Sequence, residues 1–453
     1  MNSLHDWRNR RDERITDGTP VARQSCGPIA RTAGGLDNDP KIIHRSSSIW
    51  GQMRTSWSFH SAGQLVFGRG ALADLGRWAA RRKWQKAFLV TDQRLAEAGL
   101  VERVVAPLKE AGIAVSIFDG GEPEPAIETA VKAIELGRGV GPDCVVGLGG
   151  GSNMDLAKIV ATVLAHGGAP ENYFSFDRIP GPVVPLICVP TTSGTGSEVS
   201  HAAVLTDKKN HIKVSTLSQY LRPALAVVDP ALTDRCPKQV TADSGIDALT
   251  HAIEAYTATD FDVLDTPAGE PAAYEGRHPL GECLAEKAIS LIGRHLVTAV
   301  QDGSNQAARD GMSLAATIAG LAFSNCGVAL VHGLEYPLGG ALHCTHGAGN
   351  GLLLPHVMRF NLPERVPALA RIAQLLGENT AGLTEAAAAE RAIAAVDRIR
   401  DQIGVPGRIR DIGGKREQLA EFAAKTFAIK RLLATTPRRA SEADLLNILE
   451  AAF

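Results

Sequence analysis

Aromatic side chains are scarce in this chain, 5% of its residues, and its charges nearly cancel, leaving −2 net. The first shortage argues against a platform on which nucleobases stack. The second removes the electrostatic case for nucleic acid or an anionic membrane as partner. No run is long enough and apolar enough to span a bilayer. The N-terminus lacks the apolar core of a signal peptide. No CxxC pair occurs among Cys26, Cys144, Cys188, Cys236, Cys283, Cys326 and Cys344, and their number is odd. Several lie in apolar runs such as Asp143-Cys144-Val145-Val146, so buried free thiols in a reducing compartment are expected, with the cytoplasm as location. Internal repeats are missing too, and so is the spaced GxGxxG fingerprint of dinucleotide sites.

What is present is a chain of 453 residues, 45% hydrophobic and 21% charged. That is ordinary globular composition in a length that calls for at least two domains. Residues 1–55 differ from the rest: the charge run Arg8-Asn9-Arg10-Arg11-Asp12-Glu13-Arg14 is followed by Gly, Ser, Pro and Asn without apolar period. An irregular or disordered extension is expected there. Met53 precedes the first foldable segment, and translation is expected to start at it; mass spectrometry of the native N-terminus checks this.

From about residue 60 to 235 strand-like runs alternate with helical ones. Lys86-Ala87-Phe88-Leu89-Val90-Thr91-Asp92 and Val184-Pro185-Leu186-Ile187-Cys188-Val189-Pro190 are nearly continuous apolar runs, as strands buried on both faces require. Helices are expected over 71–81, 95–111, 126–137 and 153–165. This alternation predicts an α/β domain, 56–234, with a parallel sheet. Beyond Pro230 nearly every segment has helical period, predicting an all-α domain over 235–453. Residues 259–280, with three prolines and two glycines, read as a surface loop. Ser441-Glu442-Ala443-Asp444 reads as a capping box opening a last helix.

Two loops at strand ends suit a nucleotide. Gly149-Gly150-Gly151-Ser152-Asn153-Met154-Asp155 joins a strand to a helix. Its glycines allow close backbone approach, and the helix start presents free N–H groups to a pyrophosphate. Ser152 is expected to cap that helix, with Asp155 three residues on. Pro190-Thr191-Thr192-Ser193-Gly194-Thr195-Gly196-Ser197-Glu198 offers hydroxyls and exposed backbone at a second strand end, where ligands bind in open α/β sheets. Asp92 is a candidate for the adenosine ribose. A carboxylate there accepts from the 2′-OH and repels a 2′-phosphate, favouring NAD over NADP.

The helical half carries metal-ligand chemistry. Asp247 and His251, four apart in the helical run 243–257, share one helix face. With His332 and His346 they make a set of one carboxylate and three imidazoles, suited to a divalent first-row metal such as Fe or Zn.

These segments together resemble the iron-containing alcohol dehydrogenase family. The resemblance rests on Gly149 to Lys158, Pro190 to Ser197, Gly245 to His251 and His332 through Gly347. Phe67-Gly68-Arg69-Gly70, Phe118-Asp119-Gly120, Val228-Asp229-Pro230, Phe323-Ser324-Asn325 and Leu354 to Asn361 support it. It covers about residue 56 to the end. It implies a dehydroquinate synthase-like fold, with a nucleotide-binding α/β domain, a helical metal-binding domain and the site in the cleft. The family's metal ligands fall on Asp247, His251, His332 and His346. Its cofactor contacts fall on Asp92, Gly149, Gly150, Gly151, Ser152, Asp155, Thr191, Thr192 and Thr195. The chain departs from the family at Tyr336, where many members carry a histidine beside the nicotinamide. In a helix Tyr336 still stacks over His332, and a phenol can relay a proton, although it ordinarily ionises near ~10 rather than ~6.5. The loop over 259–280 is longer than the family pattern implies, and the N-terminal extension is additional. His343 is set aside because four ligands leave one position open for substrate. His295 and His356 are read as structural.

The resemblance implies NAD(H)-linked oxidation of a small primary alcohol, or reduction of the aldehyde, with Fe2+ preferred to Zn2+, in a homodimer. The competing readings in the same fold are hydroxyacid–oxoacid transhydrogenation and reduction of a carboxylated semialdehyde. A basic residue in the pocket would favour the latter. A cyclising lyase similar to dehydroquinate synthase would need a basic phosphate-binding cluster, and the segments 243–257 and 325–361 offer only Arg359.

Overall fold

The structure is a computed structural model that describes residues 54–210, 212–264 and 272–453. The extension up to residue 53, the start expected at Met53 and Cys26 lie outside the described residues, as does part of the 259–280 loop.

Nine strands and five of the helices lie before residue 230. The strands are β1 (Leu65–Phe67), β2 (Lys86–Val90), β3 (Ala114–Phe118), β4 (Cys144–Gly149), β5 (Ser175–Phe176), β6 (Leu186–Pro190), β7 (Ala202–Asp207), β8 (Ile212–Leu217) and β9 (Leu225–Val228). The helices are α1 (Leu75–Arg81), α2 (Gln93–Glu97), α3 (Leu100–Glu110), α4 (Ile127–Val140) and α5 (Gly151–His166). Six strands form a sheet in the order β1-β9-β6-β4-β2-β3, every pair parallel.

The apolar runs explain the layering. Successive strand residues point to opposite faces. Ala87 and Leu89 of β2 pack with α1 and α3, while Phe88 and Val90 pack with α4 and α5. A strand covered on both sides has no polar face to show, hence the unbroken hydrophobic sequence.

Three local expectations are corrected. The helix expected over 95–111 is two helices, α2 and α3, parted at Gly99, whose φ of 75° is left-handed. Ser152 does not cap α5; Gly150 holds that position and Ser152 lies inside the first turn. An antiparallel hairpin, β7–β8, also departs from the parallel pattern and joins β5 in a second, three-stranded sheet. Its strands are only partly buried, so their sequence lacks the long apolar runs of the main sheet.

After β9 the described chain is helical: α6 (Lys238–Thr257), α7 (Pro279–Gln301), α8 (Gln306–Cys326), α9 (Leu330–Leu342), α10 (His346–Leu375), α11 (Glu385–Ile403), α12 (Leu419–Ala428), α13 (Lys430–Ala434) and α14 (Glu442–Ala451). α10 bends at Arg365. The capping box at Ser441 and Asp444 opens α14. α6 is the axis of this half; sixteen of its residues are buried, among them Asp247 and His251. Among the described residues no single helix is long and apolar enough to cross a membrane. Of the described cysteines, Cys144, Cys188 and Cys326 are buried free thiols, whereas Cys283 is exposed.

Candidate metal and cofactor site

Three elements bring the ligand residues together. Asp247 and His251 project from one face of α6, His332 from the first turn of α9, and His346 begins α10. α10 can start there because Gly347 follows His346. A Cβ on Gly347 would lie 1.9 Å from the Asp243 carbonyl oxygen, so only glycine lets α10 close onto α6. One ligand atom each from Asp247, His332 and His346 falls within a 4.8 Å cluster. His251 stands at its side. Its Nδ1 is 3.8 Å from Asp247 Oδ2, and its ring stacks on His332 at 4.8 Å and on Phe323 at 4.1 Å.

The protonation pattern suits a cation. Nδ1–H of His332 donates to Glu254 at 2.6 Å, and Nδ1–H of His346 donates to Glu335 at 2.6 Å. Each bond leaves Nε2 with its lone pair free, pointing to Asp247 at 4.0 and 3.9 Å. Carboxylate-backed imidazoles are the usual support of metal ligands. Burial pushes His251 down to about 3, against the pull of Asp247, so its ring is neutral. Burial also disfavours the proton on His346, but Glu335 and Asp247 raise it above the ordinary imidazole value, a proton that a bound cation would displace. Burial opposes ionisation of Asp247, but the surrounding imidazoles His251, His346 and His332 draw it below the usual carboxylate range. Glu335 likewise overcomes burial, held at about 2 chiefly by His346 and Lys213. The fit to a divalent ion rests on a further observation. His251 Nδ1 is buried with no hydrogen-bond partner among the described residues, which is costly unless something else satisfies it. Asn350 Nδ2 approaches Asp247 Oδ1, His346 Nε2 and His332 Nε2 at 2.8, 3.2 and 3.3 Å, which marks where these lone pairs converge.

The ligands line a cavity with Tyr336, Thr195, Asp155 and Gly151. Tyr336 is half-buried one turn along α9 from His332, its ring 6.3 Å from that of His346. A longer groove lined by Asp92, Gly150, Thr191 and Thr192 runs along the strand ends. Ser152 belongs to both, so groove and cavity meet at the start of α5. Gly149 turns there with φ of 144°, and Thr191 N–H donates to its carbonyl at 3.0 Å. A Cβ on Gly151 would come within 2.9 Å of the Thr195 side chain, so the two loops touch through a glycine.

Two sequence-predicted residues carry structural duties as well. Asp92 caps α2 by accepting from Leu95 N–H at 3.1 Å, and it accepts from Asn153 Nδ2 at 2.6 Å. Asp155 accepts from Ser197 Oγ–H at 2.7 Å and Val204 N–H at 3.0 Å, and Lys158 lies 3.7 Å away. His343 is exposed at the end of α9 and outside the ligand cluster.

Sequence reasoning missed Glu254, Glu335, Lys213 and Glu124. A signal existed for Glu254, seven residues after Asp247 and so on the same face of α6, and for Glu335, three after His332. None existed for Lys213, which enters from the hairpin.

The comparisons cover both halves. The family model described as iron-containing alcohol dehydrogenase matches residues 62–230, and that for the C-terminal part of the same family matches 241–453. The chain is 37% identical over 388 residues to the NAD-dependent methanol dehydrogenase of Bacillus methanolicus, covering 86% of this chain and 97% of that one. It is 37% identical over 389 residues to the 1,3-propanediol dehydrogenase of Klebsiella pneumoniae, covering 85% and 96%. A solved 1,3-propanediol oxidoreductase superposes with a TM-score of 0.82 at 35% identity, covering 88% of this chain and all of that one.

Proposed function

The chain belongs to the iron-containing alcohol dehydrogenase family, and from that premise we propose that it interconverts a small primary alcohol and its aldehyde with NAD(H). The observation that carries this is the convergence of Asp247, His332 and His346, with His251 beside them, at the inner end of a groove that begins at Asp92.

When bound, a divalent ion, Fe2+ in preference to Zn2+, supplies Lewis acidity toward the substrate oxygen, and NAD supplies the hydride chemistry. The residues do the rest. Asp247, His251, His332 and His346 hold the ion, and Glu254 and Glu335 fix the tautomers of two of them. Gly149, Gly150, Gly151 and Ser152 receive the pyrophosphate at the α5 N-terminus. Thr191, Thr192 and Thr195 flank it, and Asp92 takes the adenosine ribose. Asp155 shapes the cavity wall between them. Phe323 shields the His251 face from water. Tyr336 passes the substrate hydroxyl proton outward through its phenol. On this reading residues 56–234 are the cofactor half and 235–453 the metal half. The protein works in the cytoplasm as a homodimer.

The test is metal analysis of the purified protein coupled to an alcohol panel with NAD and NADP. About one metal per chain and NAD-dependent turnover lost on chelation are expected. Full activity after stringent metal removal would contradict the scheme.

A further inference from the structure

The ligand cavity also contains a lysine that the dehydrogenase reading leaves without a role. The Lys213 side chain from β8 is 8% exposed. It is the only cavity-lining side chain among the described residues with a permanent positive charge. It stands between two carboxylates, 2.9 Å from Glu124 Oε1 and 3.3 Å from Glu335 Oε1. Glu335 bonds His346 through Oε2 only and accepts from Lys213 Nζ through Oε1, so Glu124 covers the part of the ammonium that Glu335 leaves free. Arg431, the other cation nearby, is engaged by the phenols of Tyr336 and Tyr274 and donates to Ser215 Oγ.

Glu124 is held in place by its backbone. It occupies Glu122-Pro123-Glu124-Pro125, with φ of 51°. Residues with a Cβ seldom adopt that conformation, Asn and Asp excepted, and such outliers cluster at functional sites. Its N–H donates to Ser152 Oγ at 3.3 Å, which ties it to the junction of groove and cavity. Its Oε1 is buried, and its contact among the described residues is the 2.9 Å ion pair with Lys213. The cavity mouth thus carries a carboxylate whose oxygen is only partly satisfied.

We propose that Glu124 sets the charge preference of the substrate site. By engaging Lys213 it leaves no free cation opposite the metal ligands, so uncharged aldehydes and alcohols enter while carboxylated or sulfonated ones meet like charge. This rests on the dehydrogenase reading and narrows it. Rejection of the wrong substrate by a repulsive group is a common source of specificity.

The experiment compares propanal with succinic semialdehyde, using NADH and the metal-loaded protein, in the wild type and in Glu124→Gln and Glu124→Asn. Asn suits the left-handed backbone, so its melting temperature should equal or exceed that of the wild type. The wild type should prefer propanal by about 100-fold in kcat/KM, and both variants should shrink that ratio by about tenfold or more, mainly through KM for the anion. Calorimetry with succinate on metal-free protein should show about fivefold tighter binding in the variants, lost again when Lys213→Met is added. An unchanged ratio in folded variants, or a wild type that reduces succinic semialdehyde as well as propanal, would overturn the proposal. If neither aldehyde turns over, the dehydrogenase reading fails instead, and the succinate titration still decides whether Glu124 masks Lys213.

Discussion

In the helical half each of two candidate ligand imidazoles is fixed from behind. Glu254 bonds His332 and also accepts from the N–H groups of Ala329 and Val331, at 2.9 and 2.6 Å. Glu335 bonds His346 and faces Lys213. The α/β half works differently. Its groove is lined by glycine backbone, threonine hydroxyls and charged side chains, Asp92 among them, at the ends of parallel strands. The contrast follows from what each ligand needs. A cation of fixed geometry rewards rigid, preorganised donors. A long flexible dinucleotide rewards an open surface of backbone donors that can follow it. Substitutions in the two halves should therefore fail differently: loss of metal and turnover in one, a rise in KM in the other.

The sharpest way to break this contrast is His332→Ala. Several kcal/mol of charge stabilisation go with the metal, so turnover should fall by roughly 10³-fold or more, with metal content lost and the circular dichroism spectrum kept. Retained activity in metal-stripped variant would refute the division of labour. Glu254→Gln comes next. It keeps the shape but weakens the support of His332, and metal affinity should drop by about 10- to 100-fold by competition with a chelator. Asp92→Ser tests the other half. KM for NAD should rise several-fold while kcat holds, and the preference for NAD over NADP should shrink by about tenfold. If kcat falls instead, the groove is more than a binding surface. Tyr336→Phe removes the phenolic proton and should lower kcat by ~10- to 100-fold without changing metal content.

The smallest test compares one histidine from each half, His201 fully buried and His356 half-buried. Burial holds His201 well below the usual imidazole value and His356 down to about 4. Once unfolded, each binds a proton near ~6.5. Between ~6.5 and ~4 the unfolded chain therefore binds more protons than the folded one. Stability is full above that window and falls as pH drops through it. His356→Gln should flatten the slope by about 1–2 kcal/mol in denaturant titrations at pH 7 and pH 5.

How much of this the chain announces depends on the kind of signal. β2, β4 and β6 are legible because burial on both faces forces unbroken apolar runs. Asp247 and His251 are legible because helical periodicity alone puts them on one face. His332 and His346 reach Asp247 only through tertiary packing, and their motif context singles them out. The β7–β8 hairpin is hidden because partly buried strands lack a continuous apolar run. The cap expected at Ser152 fails because the helix is capped two residues earlier, at Gly150 after the turn at Gly149, which places the hydroxyl within the helix. Lys213 and Glu124 lie 89 positions apart by number, and only the fold makes them a pair.

The most direct test of the central claim is diffraction from iron-loaded crystals at the iron absorption edge. One anomalous peak should lie at ~2.0–2.2 Å from a ligand atom of Asp247, His251, His332 and His346 alike. A peak elsewhere, or a loaded protein in which these four side chains stay apart, would contradict the account.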